Sequence, residues 1–372
     1  MTASIKGRVL SVIMAVAVAL GLAVVAGSQP AEAANRDWLR RDATGTCEWD
    51  KVGWWVQRCD VWSQAMGRTI PVQVQPAKRG GNAALYLLDG LRATDRTNAW
   101  VNDVNAAKTY EPHNITLAMP VGGAASFYAD WQGPATYDLE NPVNYKWETF
   151  LTSELPGYLE RNFGVARNNN SIAGLSMGAG AALTLAAKHP NQFRQALSYS
   201  GFLTTTVPGA QTMMRFAMLD AGGFNINAMY GSLFNPKRFQ NDPLLLIPKL
   251  RNTNLYISAA SGVPGAGDSH YLPEHQAAGA ALEFGSNITT RVWEGAARLQ
   301  GLNPTVDYPA QGLHNWEQFG YQLNRSKPQV LNVMNAWYFL RPSPLSQGKG
   351  IFFCEAYRTN MRLSIAGVSA LR

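Results

Sequence analysis

Ser176 stands at the centre of Gly174-Leu175-Ser176-Met177-Gly178, and the residues on either side give that pentapeptide its chemical meaning. An apolar stretch, Ser171-Ile172-Ala173, precedes it and an alanine-rich run over residues 179–188 follows. The local order is therefore strand, sharp turn and helix, which is that of a nucleophile elbow. A serine hydroxyl is a weak nucleophile. It needs an exposed position, a base within hydrogen-bond reach and amide donors for the oxyanion that develops on attack. An elbow supplies the first and the last. The flanking glycines let the turn tighten and the helix pack close behind it, and the helix N-terminus adds positive potential. An isolated G-x-S-x-G is a weak signal, so the flanking pattern carries the reading.

The base and the acid that orients it are expected later, in the order Ser, acid, His. Of five histidines, His270, His275 and His314 come well after the elbow. His314 stands in Gln311-Gly312-Leu313-His314-Asn315-Trp316, a turn-forming segment after the apolar alternation of residues 306–308, where a strand-end histidine would sit. His270 and His275 lie in a Gly/Pro-rich loop and read as solvated. Asp268, Glu274 and Glu283 all fall between the last long strand and His314. Glu283, on a helical pattern after Ala280-Ala281-Leu282, is the preferred acid, and the other two stay open. The amide of Met177 is one oxyanion donor, and the amide of Leu91, just after Asp89-Gly90, suits the second. Asp89 and Arg92 either pair with each other or reach a polyhydroxylated substrate, and the residues alone leave both readings standing.

The elements that must position these groups are legible as apolar runs. Residues 70–75 alternate like a strand, while Ala84–Leu88 and residues 114–119 are continuous apolar runs, as expected of strands covered on both faces. Residues 196–199 and 255–260 add two more strands. Residues 145–163 carry Trp147, Phe150, Leu151, Leu155, Tyr158 and Leu159 at helical spacing, with Pro156 expected to kink or divide the helix. Alternating strands and helices predict an α/β fold, a mostly parallel, doubly wound sheet with helices on both faces. In such a sheet ligands bind beyond the carboxyl ends of the strands, where both Asp89-Gly90-Leu91-Arg92 and the elbow fall.

Composition sets the outer bounds. The 372 residues can bury one sizeable core. Residues 1–33 read as a secretory signal: Lys6 and Arg8 precede an apolar run, and Ala31-Glu32-Ala33 offers a cleavage site. Removing it takes away two positive charges and one negative, so the formal net charge goes from +7 to +6. No Lys/Arg cluster is dense enough for nucleic acid, although the basic excess suits an anionic cell envelope. In an exported chain, Cys47 and Cys59 in a tryptophan-rich segment predict a disulfide, with Cys354 left over. No His/Cys spacing suggests a metal site, and no cofactor is implied. The expected divisions are residues 1–33 as signal, 34–62 as a Trp/Cys-rich segment, 63–340 as the catalytic domain and 341–372 as a tail of unknown role.

Several stretches together resemble the antigen 85 type mycolyltransferases, esterase-like enzymes of the actinobacterial envelope. They are Tyr86-Leu87-Leu88-Asp89-Gly90-Leu91-Arg92-Ala93, Met119-Pro120-Val121-Gly122-Gly123 with Ser126-Phe127-Tyr128 and Asp130-Trp131, and the block over residues 145–157. The elbow, Asp220-Ala221-Gly222-Gly223, Asn241-Asp242-Pro243-Leu244, His314-Asn315-Trp316 and Gln322-Leu323-Asn324 follow in order. The resemblance spans about residues 60 to 340 and implies an α/β-hydrolase fold. It also implies Ser176 as nucleophile, His314 as base and a glutamate as acid, matched by Leu282-Glu283. An insertion over residues 262–273 keeps Glu274 as the alternative. The resemblance puts the oxyanion donors on the Leu91 and Met177 amides, the sugar contacts on Asp89 and Arg92, and a tryptophan beside the base on Trp316. Ala259 stands about where the family has a cysteine, so thiol modification is not expected to transfer.

The implied activity is transfer of a mycolyl group from trehalose monomycolate to a second trehalose monomycolate or to arabinogalactan through an acyl-serine, at a cell-envelope lipid surface. A secreted carboxylesterase of the same fold and an adhesin binding a host matrix protein are the alternatives.

Overall fold

The computed structural model describes residues 43–138 and 140–337. The signal sequence, Cys354 and the tail over residues 341–372 lie outside the described residues. One sheet of nine strands organises the rest, comprising β1 (Cys47–Trp49), β2 (Gln57–Ser63), β3 (Arg68–Gln75), β4 (Ala84–Leu88), β5 (Thr116–Pro120), β6 (Asn170–Leu175), β7 (Phe193–Tyr199), β8 (Asn254–Ser258) and β9 (Thr305–Asp307). The spatial order is β1-β2-β3-β5-β4-β6-β7-β8-β9. The β1–β2, β2–β3 and β3–β5 pairs are antiparallel, and every pair from β5 through β9 is parallel.

The apolar runs explain the layering. In β4, Ala84, Tyr86 and Leu88 join one core cluster while Leu85 and Leu87 join the other, so both faces are covered. The longer helices are numbered α1 (Leu155–Phe163), α2 (Met177–Lys188), α3 (Ala210–Asp220), α4 (Pro273–Leu299) and α5 (Trp316–Val333). Leu155 and Leu159 of α1, the alanines and leucines of α2, and Trp293 of α4 pack in the first cluster. Phe319, Leu323, Val330 and Leu331 of α5 pack in the second, with Trp100 and Tyr110.

One local outcome agrees with the sequence reading and one departs from it. The helix over residues 145–163 is divided, as Pro156 led one to expect: Trp147–Thr149 is α-helical, Phe150–Glu154 is a π-helical turn, and α1 begins at Leu155 with Pro156 in its first turn. Proline lacks the N–H that an unbroken helix would spend there, and the wider turn absorbs that loss. The expected boundary at residues 62/63 falls inside β2, which joins the main sheet through seven register pairs with β3. Its pattern was hidden because Gln57, Cys59, Val61 and Ser63 face inward while Trp62 is 58 % exposed. Cys47 and Cys59 are register partners across β1 and β2 and form the expected disulfide. Among the described residues no helix is long and apolar enough to cross a membrane.

Candidate active site

Four parallel strands end side by side, and the residue after each of the first three donates to the last residue of the next strand. The Ser176 amide donates to the Tyr199 carbonyl at 2.9 Å, Ser200 to the Ser258 carbonyl at 2.8 Å, and Ala259 to the Asp307 carbonyl at 3.3 Å. Residues separated widely in the chain are thereby brought to one rim, the carboxyl edge where α/β sheets build sites.

Ser176 follows β6 with φ 51° and ψ −116°, a conformation outside the common regions for a residue with a β-carbon. Close packing enforces it. A β-carbon on Gly174 would stand 2.1 Å from the Gly178 carbonyl oxygen, and one on Gly178 would stand 2.5 Å from that of Asp89. Both positions therefore require glycine, and the elbow is pressed against the Asp89-Gly90 turn after β4.

His314 reaches the elbow from the segment after β9. Its Nε2 lies 2.9 Å from Ser176 Oγ, and its Nδ1 lies 2.9 Å from Glu283 Oε2. The His314 amide donates to the Gly279 carbonyl of α4 at 3.1 Å, one turn before Glu283, so one helix fixes both residues. Gly312, at φ 143°, allows the approach, since a β-carbon there would meet the Ala260 β-carbon at 2.7 Å. The imidazole is flanked by Phe319 and Phe202, with ring centroids 5.2 and 6.2 Å away.

Glu283 is wholly buried. Its Oε1 accepts from the Ser200 hydroxyl at 2.7 Å and the Ala260 amide at 2.6 Å, leaving Oε2 to face His314. Such a chain of hydroxyl, imidazole and carboxylate can take a proton from serine and stabilise the resulting imidazolium. Of the other acids considered, Asp268 accepts from the Gly265 amide and the Asn315 side chain, at 2.7 and 2.6 Å. Glu274 is exposed in the first turn of α4. Neither meets the imidazole. His270 is also exposed and pairs with Glu317 at 3.4 Å.

The Met177 amide opens α2 and the Leu91 amide lies beyond β4; neither donates to any group among the described residues. A β-carbon on Gly90, next to Leu91, would lie 3.9 Å from that of Ser176. Asp89 and Arg92 do not pair with each other. The Asp89 carboxylate accepts from the Gly90 and Ala99 amides at 2.7 and 2.9 Å. Burial raises its pKa to about 6 against the lowering effect of those amides, with Asp103 adding a small upward push. Arg92 is ion-paired with Asp220 at the end of α3. Trp316 is half-buried and edge-packed on Trp100 and Phe319, at 6.2 and 5.4 Å.

Ser200, Asp220 and the Ala260 amide were not singled out as participants from sequence. Ser200 carried one usable signal, its place directly after the apolar run that became β7. Asp220 lies in one of the matched motifs, but its partner could only be found in three dimensions. Ala259, about where the family has a cysteine, is wholly buried.

The Esterase family model matches residues 63–330. The diacylglycerol acyltransferase/mycolyltransferase Ag85C of Mycobacterium avium is 36% identical over 316 residues, covering 84% of this chain and 84% of its own. Ag85A of Mycobacterium tuberculosis is 40% identical over 292 residues, covering 78% of this chain and 84% of its own. Among solved structures, M. tuberculosis MPT51 (FbpC1) matches with a TM-score of 0.65 and 29% identity, over 75% of this chain and 98% of that one. An S-formylglutathione hydrolase from Agrobacterium tumefaciens shares the fold at a TM-score of 0.55 and 14% identity, over 78% of this chain and 99% of that one. The chain has the α/β-hydrolase fold and belongs to the esterase family, among the antigen 85 mycolyltransferases.

Proposed function

We propose that this protein is an exported acyltransferase that moves a mycolyl group from trehalose monomycolate to a second trehalose monomycolate or to arabinogalactan. The hydrogen-bonded chain from Ser176 through His314 to Glu283 is the observation that carries the chemistry. Family membership supports the acyltransferase class, the mycolyl group follows the names of the relatives, and trehalose and arabinogalactan follow only the resemblance.

In this reading Ser176 Oγ attacks the ester carbonyl while His314 Nε2 takes the hydroxyl proton. The Leu91 and Met177 amides receive the oxyanion. Collapse breaks the bond to trehalose, and His314 returns the proton to the departing sugar oxygen. A second sugar hydroxyl then gives its proton to His314 and attacks the acyl-serine, restoring Ser176. Arg92 and Trp316, one residue past an oxyanion donor and two past the base, are the proposed sugar contacts. Water must be kept from the acyl-enzyme while a sugar is admitted. The segment from Met213 to Asn241, with Met213, Phe216, Leu233 and Phe234 exposed, is the proposed cover and acyl-chain surface.

The rival with support is a plain esterase, favoured by the family model's own description. Labelled trehalose incubated with trehalose monomycolate distinguishes them. Transfer of label into mycolate ester is expected, with complete loss in Ser176→Ala. Release of free mycolic acid without labelled ester would overturn the transferase reading.

A further inference from the structure

We propose that Asp89 is a positioning residue for the oxyanion donor, its carboxylate stapling the loop that presents the Leu91 amide. This rests on the assignment of that amide to the oxyanion, and it gives Asp89 a role other than the sugar contact implied by resemblance.

Asp89 is 4% exposed, and its carboxylate oxygens are engaged at opposite ends of one loop, Oδ1 by the Gly90 amide and Oδ2 by the Ala99 amide. Residues 90–98 are therefore closed on a single side chain. The Asp89 main chain is fixed as well. Its amide donates to the Tyr128 hydroxyl at 2.8 Å, and its carbonyl oxygen leaves room only for glycine at residue 178.

The peptide between Gly90 and Leu91 is held from the other side. The Gly90 carbonyl accepts from the Ala93 amide at 3.2 Å. In a trans peptide the N–H points opposite to the C=O, so the Leu91 amide is turned out of the loop. The Leu91 carbonyl accepts from Ala125 at 2.9 Å, and Ala125, Phe127 and Tyr128 all have positive φ values of 48–52°. Three residues with β-carbons held in that region in so short a segment indicate backbone constrained by its surroundings. Phe127 donates to Met177 Sδ at 3.3 Å, so the same buttress touches the neighbour of the nucleophile. With Asp89 buried and each carboxylate oxygen turned to a loop amide, the carboxylate presents little surface to a sugar. What it governs is where Leu91 N–H points.

The test separates acylation from acceptor use. Wild type, Asp89→Asn and Tyr128→Phe are assayed with a p-nitrophenyl butyrate donor, first without acceptor and then with increasing trehalose. The inference expects Asp89→Asn to lower the acylation rate constant 10- to 100-fold without acceptor, with the trehalose KM within twofold of wild type. It expects Tyr128→Phe to lower the same constant several-fold. Normal acylation in Asp89→Asn with a trehalose KM raised fivefold or more would overturn it and restore the sugar-contact role. If Asp89→Asn fails to melt cooperatively, Tyr128→Phe decides: unchanged acylation there overturns the inference. Wild-type acylation without transfer to trehalose would overturn the transferase reading alone, because the acylation arm of the Asp89 comparison needs no acceptor.

Discussion

At the scale of single residues, the division of labour between two buried carboxylates is set by what each one touches. Glu283 spends one oxygen on Ser200 and Ala260 and offers the other to His314. Glu283→Gln keeps the size and loses the charge that an imidazolium needs, so kcat should fall about 10³- to 10⁴-fold in the trehalose exchange assay. Glu274→Gln should stay near wild type, and equal losses in both would refute the assignment. Asp89 behaves differently with pH. Its pKa is raised from 3.8 to about 6 in the fold, so the native state holds that proton more tightly than the unfolded chain does. This contribution to stability is full below about pH 4 and is lost as pH rises through about 6. Asn cannot titrate, so the stability of Asp89→Asn relative to wild type should rise by about 2 kcal/mol between about pH 4.5 and pH 7. Denaturant melts at the two pH values measure it, and a constant difference would contradict the burial of the charge.

Ser176 and His314 were legible because each sits in a short local pattern that ends a strand. The partners of Asp89 were not, since Gly90 and Ala99 contribute only main-chain amides, which carry no mark in a sequence.

Among the elements, α4 shows most clearly why the acid was harder to read than the nucleophile. Its inward face runs Gly279, Glu283, Ser286, Thr290, Trp293 and Ala297, all buried, while Phe284, Ile288 and Val292 are 60%, 48% and 52% exposed. Helical periodicity normally places the large apolar residues inside. Here that rule would turn Glu283 to solvent, so its helical placement favoured it over Asp268 and Glu274 without deciding among them, and the resemblance to a Leu-Glu pair added the rest. The reason is local: small residues let the helix lie against the strand ends, with Asn287 donating to the carbonyls of Ala259 and Ala260. The start of α5 is held in a related way. Asn315 caps it through the Gln318 amide and also donates to the buried Asp268. Asn315→Ala should therefore cost about 1–2 kcal/mol from the cap and more from the stranded carboxylate. It should also reduce kcat, because His314 is the preceding residue. A melt unchanged from wild type would show that the cap is idle.

For the molecule as a whole, the fold class was legible because continuous apolar runs mean strands covered on both sides, and β4 through β8 are such strands. The antiparallel extension was not, because β2 hides its alternation behind polar inward residues and an outward tryptophan. The Cys47–Cys59 bond lies in this extension, far along the sheet from the strand ends that carry the site. Replacing both cysteines by serine should cost about 2–3 kcal/mol, the scale for a loop of this size, and lower Tm by several degrees. Acyl transfer measured below the new Tm should be unchanged. A parallel loss of transfer would mean that the extension helps to shape the site.

The two margins of the described sheet, β1 and β9, are each three residues long. A strand margin is a template for another chain in proportion to the unpaired peptide groups it displays, and short margins display too few to hold a newcomer. Among the described residues, β1 and β9 themselves therefore offer edge-to-edge stacking into fibrils little foothold.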